Sequence, residues 1–281
     1  MLPQLFSLFG YPVHTYGVTA AMGFLAGFFF ARWQAVVTKQ DPEHTADLIF
    51  YAIIFGVIGA RILYVMLEWN SYFAEHPGDI LRIDKGGLVF YGGPLFTALP
   101  LWWVMRRRGL SIWAYSDLVM PATILGLGFG RLGCLAAGCC YGHPAEVPWA
   151  IHYPEGSTPA YAYLGAALHP TPLYEFAACI AITAMAAWYN KRKQRHGETF
   201  FLTVLSYAIA RSIIEVFRGD KVRGFLIEDV LSTSQAISIF VGIACIGAWL
   251  YFRKKPTKTM SLDYYPKGEG PYGMRTDDSS A

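Results

Sequence analysis

Long apolar segments constrain this chain more than any other feature of its sequence. Seven of them have about the length of a membrane-spanning helix, which is roughly 20 residues. They lie near 16–37, 45–68, 88–105, 117–137, 171–189, 198–217 and 233–252. Hydrophobic residues make up 54% of the chain and charged residues only 15%, against about 25% charged in ordinary soluble domains. The sequence therefore predicts an all-α integral membrane protein with about seven transmembrane helices.

The segments outside these spans predict the rest of the organisation. Residues 138–170, between spans 4 and 5, are rich in Gly, Pro, Tyr and Ala and predict a small extracytoplasmic cap. Residues 253–281 are polar and predict a disordered cytoplasmic tail, which leaves residues 1–252 as one membrane domain. The net charge of +3 is too small for a nucleic-acid-binding surface, so no nucleic acid is expected as a partner.

Basic residues predict the orientation, because Lys and Arg accumulate on the cytoplasmic side of a membrane. With the N-terminus outside, fifteen of the 23 Lys and Arg residues fall in inner segments and five in outer segments. The 138–170 segment holds none of them. We therefore expect a multi-pass protein of the cytoplasmic membrane, with its N-terminus outside and its C-terminus in the cytoplasm.

Three arginines, Arg61, Arg131 and Arg211, remain inside the predicted spans. Each lies about 20–23 Å from the inner end of its span at the helical rise of about 1.5 Å per residue. An arginine at mid-membrane costs roughly 2.5–3.5 kcal/mol on insertion scales, and a planar guanidinium suits phosphate oxygens. One interpretation is a shared cationic pocket for a lipid phosphate. The alternative is that each arginine pairs with an acid or with helix-end carbonyls.

Four further residues are expected at the same depth in the membrane as these three arginines. Glu215 follows Arg211 by four residues, shares its helix face and is expected to orient it, although the two could form a purely structural pair. Arg218 either contacts substrate or extends its side chain to the interface. Tyr16 and Tyr91 begin spans 1 and 3, where a tyrosine also serves as an ordinary interfacial anchor.

Three of the five cysteines, Cys134, Cys139 and Cys140, fall within seven residues just after Arg131. Their spacing fits no common zinc pattern, so no metal is predicted. A disulfide, a nucleophilic thiolate whose pKa is lowered by Arg131, and small packing residues in a glycine-rich helix end all remain open.

Over roughly residues 10–252 the sequence resembles the prolipoprotein diacylglyceryl transferase family of bacterial inner-membrane enzymes. The segments that carry the resemblance are Tyr16-Gly17, Gly59-Ala60-Arg61, Gly86-Gly87-Leu88-Val89-Phe90-Tyr91-Gly92-Gly93, Gly130-Arg131-Leu132-Gly133, Gly142, His169-Pro170-Thr171-Pro172-Leu173-Tyr174-Glu175 and Arg211-Ser212-Ile213-Ile214-Glu215-Val216-Phe217-Arg218.

The resemblance implies an activity and a set of site residues. The thiol of a lipobox cysteine in a prolipoprotein signal peptide attacks the glyceryl carbon of phosphatidylglycerol, and glycerol phosphate leaves without a metal or other cofactor. The essential arginines map onto Arg131 and Arg211, and the paired glutamate maps onto Glu215. Tyr16 and Gly142 also match functional positions.

The sequence departs from the family at polar positions. Cys134, Ala137 and Cys139 stand where the family signature has Asn, Asn and Glu, and Tyr91 stands in place of a histidine. Tyr91 is then the expected hydrogen-bond or proton partner, and Cys134 and Cys139 would line the substrate. Two alternatives follow: a diverged phospholipid-modifying transferase with another acceptor, and a non-catalytic lipid-binding or transport protein.

Overall fold

The computed structural model describes residues 4–8, 11–82, 86–89, 91–220, 225–227 and 231–254, and within them eight α-helices dominate. The helices are α1 (Thr15–Val37), α2 (Pro42–Leu67), α3 (Gly92–Arg107), α4 (Ile112–Ala137), α5 (Thr158–Ala162), α6 (Thr171–Asn190), α7 (Glu198–Val216) and α8 (Thr233–Lys254). Two short antiparallel hairpins accompany them: β1 (Gln4–Leu8) with β2 (Tyr11–His14), and β3 (Phe225–Ile227) with β4 (Leu231–Ser232). A π-helical turn (Trp69–Phe73) and a 3-10 turn (Pro77–Leu81) follow α2.

Six of these helices are long and apolar enough to cross a membrane: α1, α2, α4, α6, α7 and α8. This confirms the predicted all-α membrane protein. The third predicted span, 88–105, overlaps α3, whose 16 residues extend about 24 Å at the helical rise. That length is less than the roughly 30 Å of a hydrocarbon core, so the count of seven stays a prediction.

Polar residues define where the long helices begin and end. Asp41 caps α2 by accepting a hydrogen bond from the Glu43 backbone N–H at 2.7 Å. Ser111 caps α4 in the same manner, through the Ala114 N–H. At the other end of α4, Gly138 adopts the left-handed conformation (φ 72°), which stops the helix and redirects the chain.

Glycines permit close packing of α1 on α4 and of α2 on α3. A Cβ on Gly23 would lie 2.7 Å from the Gly126 carbonyl oxygen, and one on Gly59 would lie 2.6 Å from the Gly92 carbonyl oxygen. Small residues at such crossings let helix backbones approach in a membrane, where apolar side chains gain little by leaving lipid. On its other side α4 packs against α6, where Gly128 faces Cys179.

Large apolar side chains cover the outside of the helices, as a lipid-facing surface requires. Phe29, Phe50, Trp188, Ile213 and Phe240 are all more than half exposed although they lie within candidate spans. In a soluble protein such continuous apolar exposure marks an interaction surface. Here the exposed apolar side chains belong to the six helices that can cross a membrane, where they would contact lipid.

The N-terminal parts of α4 and α7 and the C-terminal end of α6 meet around a buried ion pair. Lys193 Nζ lies 2.6 Å from Asp117 Oδ2, and the backbone N–H groups of Gly197 and Phe200 donate to the same carboxylate at 2.7 Å. Asp117 is 0% exposed, so these donors replace the water that the carboxylate loses. Lys193 and Asp117 thus form a structural pair that links these helices.

The 138–170 segment holds a small cluster of its own, in which Tyr141, Tyr153 and Leu168 are buried together. Leu168 pairs as an isolated bridge with both Pro144 and Ile151. The division into a membrane domain, a cap and a tail stays a prediction, and residues 255–281 of the predicted tail lie outside the described residues.

Candidate active site

A buried carboxylate on α6 joins arginines from two other helices. Glu175 Oε2 lies 3.1 Å from Nε of Arg131 on α4 and 3.0 Å from Nη1 of Arg211 on α7. Tyr207 donates a hydrogen bond to the other carboxylate oxygen at 2.7 Å. Because Glu175 is only 3% exposed, water screens these charges weakly. The carboxylate therefore holds the two guanidinium groups in fixed positions relative to each other.

The start of α6 explains why Glu175 reaches this position. Pro172 lies at the beginning of the helix, where the missing N–H of proline costs nothing and its φ suits the first turn. Thr171 donates its hydroxyl to the Cys140 carbonyl at 2.5 Å, which ties the helix start to the end of the cysteine segment. Glu175 then follows one turn into the helix and faces α4 and α7.

The expected pairing of Glu215 with Arg211 is present, because Arg211 Nη2 lies 2.8 Å from Glu215 Oε2. Arg211 Nη2 also donates to the Ser234 hydroxyl of α8 at 3.2 Å. Arg218 lies 3.8 Å from Glu215 and donates two hydrogen bonds to Asp220, at 2.9 and 2.5 Å. Burial lowers the pKa of the Arg218 guanidinium, but the Asp220 hydrogen bonds outweigh it, so the pKa rises and the charge is secure.

Three cations and three anions form this arginine–glutamate cluster: Arg131, Arg211, Arg218, Glu175, Glu215 and Asp220. Arg131 differs from the other two arginines. Its Nε faces Glu175, but its Nη1 points at the sulfur atoms of Cys134 and Cys140, at 3.9 and 3.8 Å. Thiols are weak acceptors, so a phosphate oxygen would compete well for this guanidinium edge.

Arg61 has a different environment, which corrects its predicted place in a shared anion pocket. Its five guanidinium N–H groups donate to five backbone carbonyls at 2.7–3.1 Å, those of Asp79, Ile80, Arg82, Gly86 and Gly87. The side chain also lies against the rings of Tyr64 and Phe73. A guanidinium with every donor used has none left for a phosphate, so Arg61 holds residues 79–82 and 86–87 against α2.

The two predicted tyrosines lie on different parts of the molecule. Tyr16, at the start of α1, packs on Gly133, where an added Cβ would lie 3.0 Å from the Tyr16 Cα and 2.8 Å from its ring. This places Tyr16 against the residue that precedes Cys134, in the C-terminal part of α4 that also carries Arg131. Tyr91 instead precedes α3, next to Gly92, which packs on α2. Both tyrosine side chains are about half exposed.

The turn after α4 brings the three cysteines together. Gly138 and Cys140 both have positive φ (72° and 59°), and the Cys139 N–H donates to the Cys134 carbonyl at 3.1 Å. As a result the three Sγ atoms all lie within 4.8 Å of one another. Hydrogen bonds from the Cys134 and Cys139 thiols lower the pKa of the Cys140 thiol, and the positive charges of Arg218 and Arg131 add to this.

Gly142 is a close-packing residue where the 138–170 segment meets the start of α6 and the end of α7. A Cβ there would lie 2.5 Å from the His169 Cβ and 2.8 Å from the Phe217 carbonyl oxygen. The Gly142 N–H donates to the His169 carbonyl at 3.0 Å, and the next residue, His143, bonds the Phe217 carbonyl. Gly142 thereby fixes the cysteine turn against the end of α7 and the start of α6.

Sequence reasoning missed Glu175, Tyr207, Asp220 and Ser234 as partners in the cluster. Glu175 carried a usable signal, because an acid within an apolar span is as costly as an arginine and needs a partner. Tyr207, Asp220 and Ser234 are ordinary residue types for their positions, so only the packing of α6, α7 and α8 reveals their contacts.

Comparisons with known proteins identify the family. Residues 3–251 match the family described as prolipoprotein diacylglyceryl transferase. A phosphatidylglycerol–prolipoprotein diacylglyceryl transferase of Clostridium tetani is 32% identical over 259 residues, covering 91% of this chain and 100% of the relative. A second such transferase of Clostridium perfringens is 32% identical over 241 residues (85% and 91%), and one of Chromohalobacter salexigens is 31% identical over 256 residues (90% and 93%). With most of its length matched and the buried arginines and glutamates arranged as described, this chain belongs to the prolipoprotein diacylglyceryl transferase family.

Proposed function

We propose that this protein transfers the diacylglyceryl group of phosphatidylglycerol to the thiol of a lipobox cysteine in a prolipoprotein signal peptide, releasing glycerol phosphate. The relatives carry this activity in their names. The observation that carries the proposal to this chain is the Glu175 bridge between Arg131 and Arg211, two cations on separate helices fixed by one buried carboxylate.

The reaction forms a sulfur–carbon bond and breaks the bond between the glyceryl carbon and a phosphate oxygen. The leaving oxygen takes the bonding electron pair, so negative charge grows on the departing phosphate. Donors that are already oriented stabilise such charge without reorganising. Arg131 supplies the guanidinium edge that now faces two sulfurs, and Arg211 is held from both sides by Glu175 and Glu215.

The remaining predicted residues take supporting roles. Tyr16 borders the Arg131 side through Gly133, and Gly142 holds the cysteine turn in place. Arg218 adds positive charge next to Glu215. Tyr91, just before α3, would provide a hydrogen bond to the substrate.

The proposal includes the orientation that the basic residues indicate, with the N-terminus outside and the C-terminus in the cytoplasm of the bacterial inner membrane. The cluster then opens toward the outer leaflet and the 138–170 cap. Arg131 and Arg211 lie near the C-terminal ends of α4 and α7. In the proposed orientation these ends face outward, so a phospholipid headgroup would enter from that side.

Complementation tests this function. The chain is expressed in bacteria depleted of their own transferase, and lipid modification of a reporter prolipoprotein is followed by its mobility on gels and by mass. We expect modification with the natural chain and at least a hundredfold less with Arg131→Gln. Arg108→Gln is the matched control, because Arg108 pairs with Asp47 at a partly exposed site away from the cluster.

Two results would overturn the proposal. Unmodified reporter despite normal amounts of the protein in the membrane would exclude the lipobox acceptor. If, in addition, purified protein binds phosphatidylglycerol vesicles but turns over no labelled lipid with any thiol peptide, a lipid-binding role replaces catalysis.

A further inference from the structure

The sulfur atoms of Cys134, Cys139 and Cys140 form a group to which the proposed transfer assigns no role. All three Sγ atoms lie within 4.8 Å of one another. Three sulfurs bound to one zinc ion at about 2.3 Å stand roughly 3.8 Å apart in a tetrahedral site. Each pair therefore needs to close by about 1 Å at most, a shift within reach of side-chain rotation.

The backbone of the turn is what makes this set of ligands possible. Gly138 and Cys140 take left-handed conformations, so the chain after α4 folds back over its last turn instead of extending away. The Thr171 hydroxyl holds the Cys140 carbonyl at 2.5 Å, and the Cys139 N–H holds the Cys134 carbonyl at 3.1 Å. The three thiols are thus presented together by a braced loop.

The surroundings of the sulfurs suit a soft cation bound by thiolates. Arg131 Nη1 lies 3.8 Å from the Cys140 sulfur and 3.9 Å from the Cys134 sulfur. Three thiolates around a divalent ion carry one net negative charge, and an adjacent guanidinium offsets it. Donors of this kind around a metal orient its ligands and tune its charge.

The group also has an open side. Cys134 is buried, Cys140 is intermediate and Cys139 is exposed, so the group is accessible from the Cys139 side. Zinc sites with three protein ligands and one open position are typical of catalysis, whereas structural sites are closed by four. A substrate sulfur can take that fourth position.

We propose that Cys134, Cys139 and Cys140 bind a thiophilic divalent metal ion, zinc, whose fourth coordination position takes the thiol of the acceptor peptide. This inference rests on the proposed function, and it departs from the metal-free chemistry that the family resemblance implies. Binding of the ion releases the three cysteine protons to water. Binding of the acceptor releases one more, which leaves a metal-held thiolate.

The metal then supplies what the sequence lacks around the acceptor. A thiol coordinated to zinc is deprotonated outright, so no separate base is needed. The acceptor sulfur attacks the glyceryl carbon, the carbon–oxygen bond to phosphate breaks, and the phosphate oxygen keeps the electron pair beside Arg131. The metal gains and loses no electrons. Two of its ligands, Cys134 and Cys139, occupy positions where the family signature carries Asn and Glu.

Metal content tests the site independently of activity. The full chain is purified in detergent with a reductant, loaded with zinc, freed of unbound metal and analysed by mass spectrometry. We expect one zinc per chain and at least a tenfold loss of zinc affinity in Cys139→Ser and Cys140→Ser. Cys245→Ser is the matched control, because Cys245 is a buried cysteine on α8 that donates to the Phe201 carbonyl, a bond that serine can also make.

A sulfur-to-cadmium charge-transfer band tests the fourth position. In the cadmium-loaded protein, addition of a lipobox peptide is expected to raise the band by about one third, as a fourth thiolate joins three. The same peptide with serine in place of cysteine leaves the band unchanged. No increase at saturating peptide would overturn acceptor binding by the metal.

Zinc below a tenth of an equivalent in the reduced natural chain, or zinc retained equally by all cysteine variants, would overturn the site itself. A disulfide among these cysteines that forms in the membrane and persists without metal does the same. Turnover of labelled phosphatidylglycerol separates the two proposals. Equal turnover by metal-stripped and zinc-loaded protein refutes the metal inference alone, whereas stoichiometric zinc with no turnover refutes the transferase alone.

Discussion

Glu175 is the partner that Arg131 and Arg211 share, so replacing its charge tests the whole cluster. In Glu175→Gln the amide oxygen can still accept the hydrogen bond from Tyr207, and side-chain volume hardly changes. The substitution removes the negative charge that lies 3.1 Å from Arg131 and 3.0 Å from Arg211. Arg211 keeps Glu215 at 2.8 Å, so the largest effect falls on Arg131.

The expected magnitude follows from burial. Removing one member of a buried ion pair typically destabilises a protein by about 3–5 kcal/mol, because a charge remains without compensation. For large domains about 1 kcal/mol corresponds to roughly 2–4 °C, so the unfolding midpoint should fall by roughly 6–20 °C. The assay is thermal unfolding in detergent, followed by intrinsic fluorescence and by loss of the monodisperse peak.

Asp47→Asn provides the matched control. Asp47 pairs with Arg108 at 2.5 Å, but its side chain is 50% exposed, and exposed pairs contribute only about 0–1 kcal/mol. The double variant Glu175→Gln with Arg131→Gln should recover part of the lost stability, since both charges are then gone. If Glu175→Gln shifts the midpoint no more than Asp47→Asn does, the central role of Glu175 is refuted.

Four further predictions concern single positions. Arg131→Lys keeps the charge but loses the planar guanidinium, and phosphatidylglycerol turnover should fall by about 10²–10³, as for loss of one oriented transition-state donor; unchanged turnover contradicts the phosphate role. Arg61→Lys has fewer donors for the five carbonyls, so the unfolding midpoint should fall while the Kd for phosphatidylglycerol vesicles stays unchanged. Gly142→Ala should destabilise by about 1–3 kcal/mol through overpacking, checked by the same unfolding assay. His196, between α6 and α7, has its pKa lowered from 6.5 to about 4 by burial and by Lys193, so folding favours its neutral form. The free energy of unfolding that depends on neutral His196 should therefore be fully present above pH 6.5 and be lost as the pH falls toward 4. In a pH series of unfolding measurements, His196→Gln should show a smaller decline.

Much of the architecture follows from local features of the sequence. The length and apolar content of six segments predict helices that can cross a membrane, and helices occur there. The i, i+4 spacing of Arg211 and Glu215 predicts their ion pair, because the helical repeat alone brings them to one face. The departure from family residues at Cys134 and Cys139 is also visible without coordinates.

Arg61 shows where such reasoning fails. Its position within a span resembles those of Arg131 and Arg211, yet its five donors bind the carbonyls of residues 79, 80, 82, 86 and 87. Depth along a helix says nothing about which chain segment folds over the side chain. The cysteines are a second example. Their spacing in the sequence matches no common zinc pattern, yet the turn at Gly138 brings their three sulfur atoms together.

The sequence by itself therefore determined the class of protein, the approximate spans and the residues that are expensive to bury. These properties depend on side-chain type and on spacing within one helix, both of which can be read along the chain. Only the tertiary structure decided which buried charge pairs with which. Glu175 meets an arginine 36 positions away on α7 and another on α4, and such contacts depend on how helices pack rather than on any local pattern.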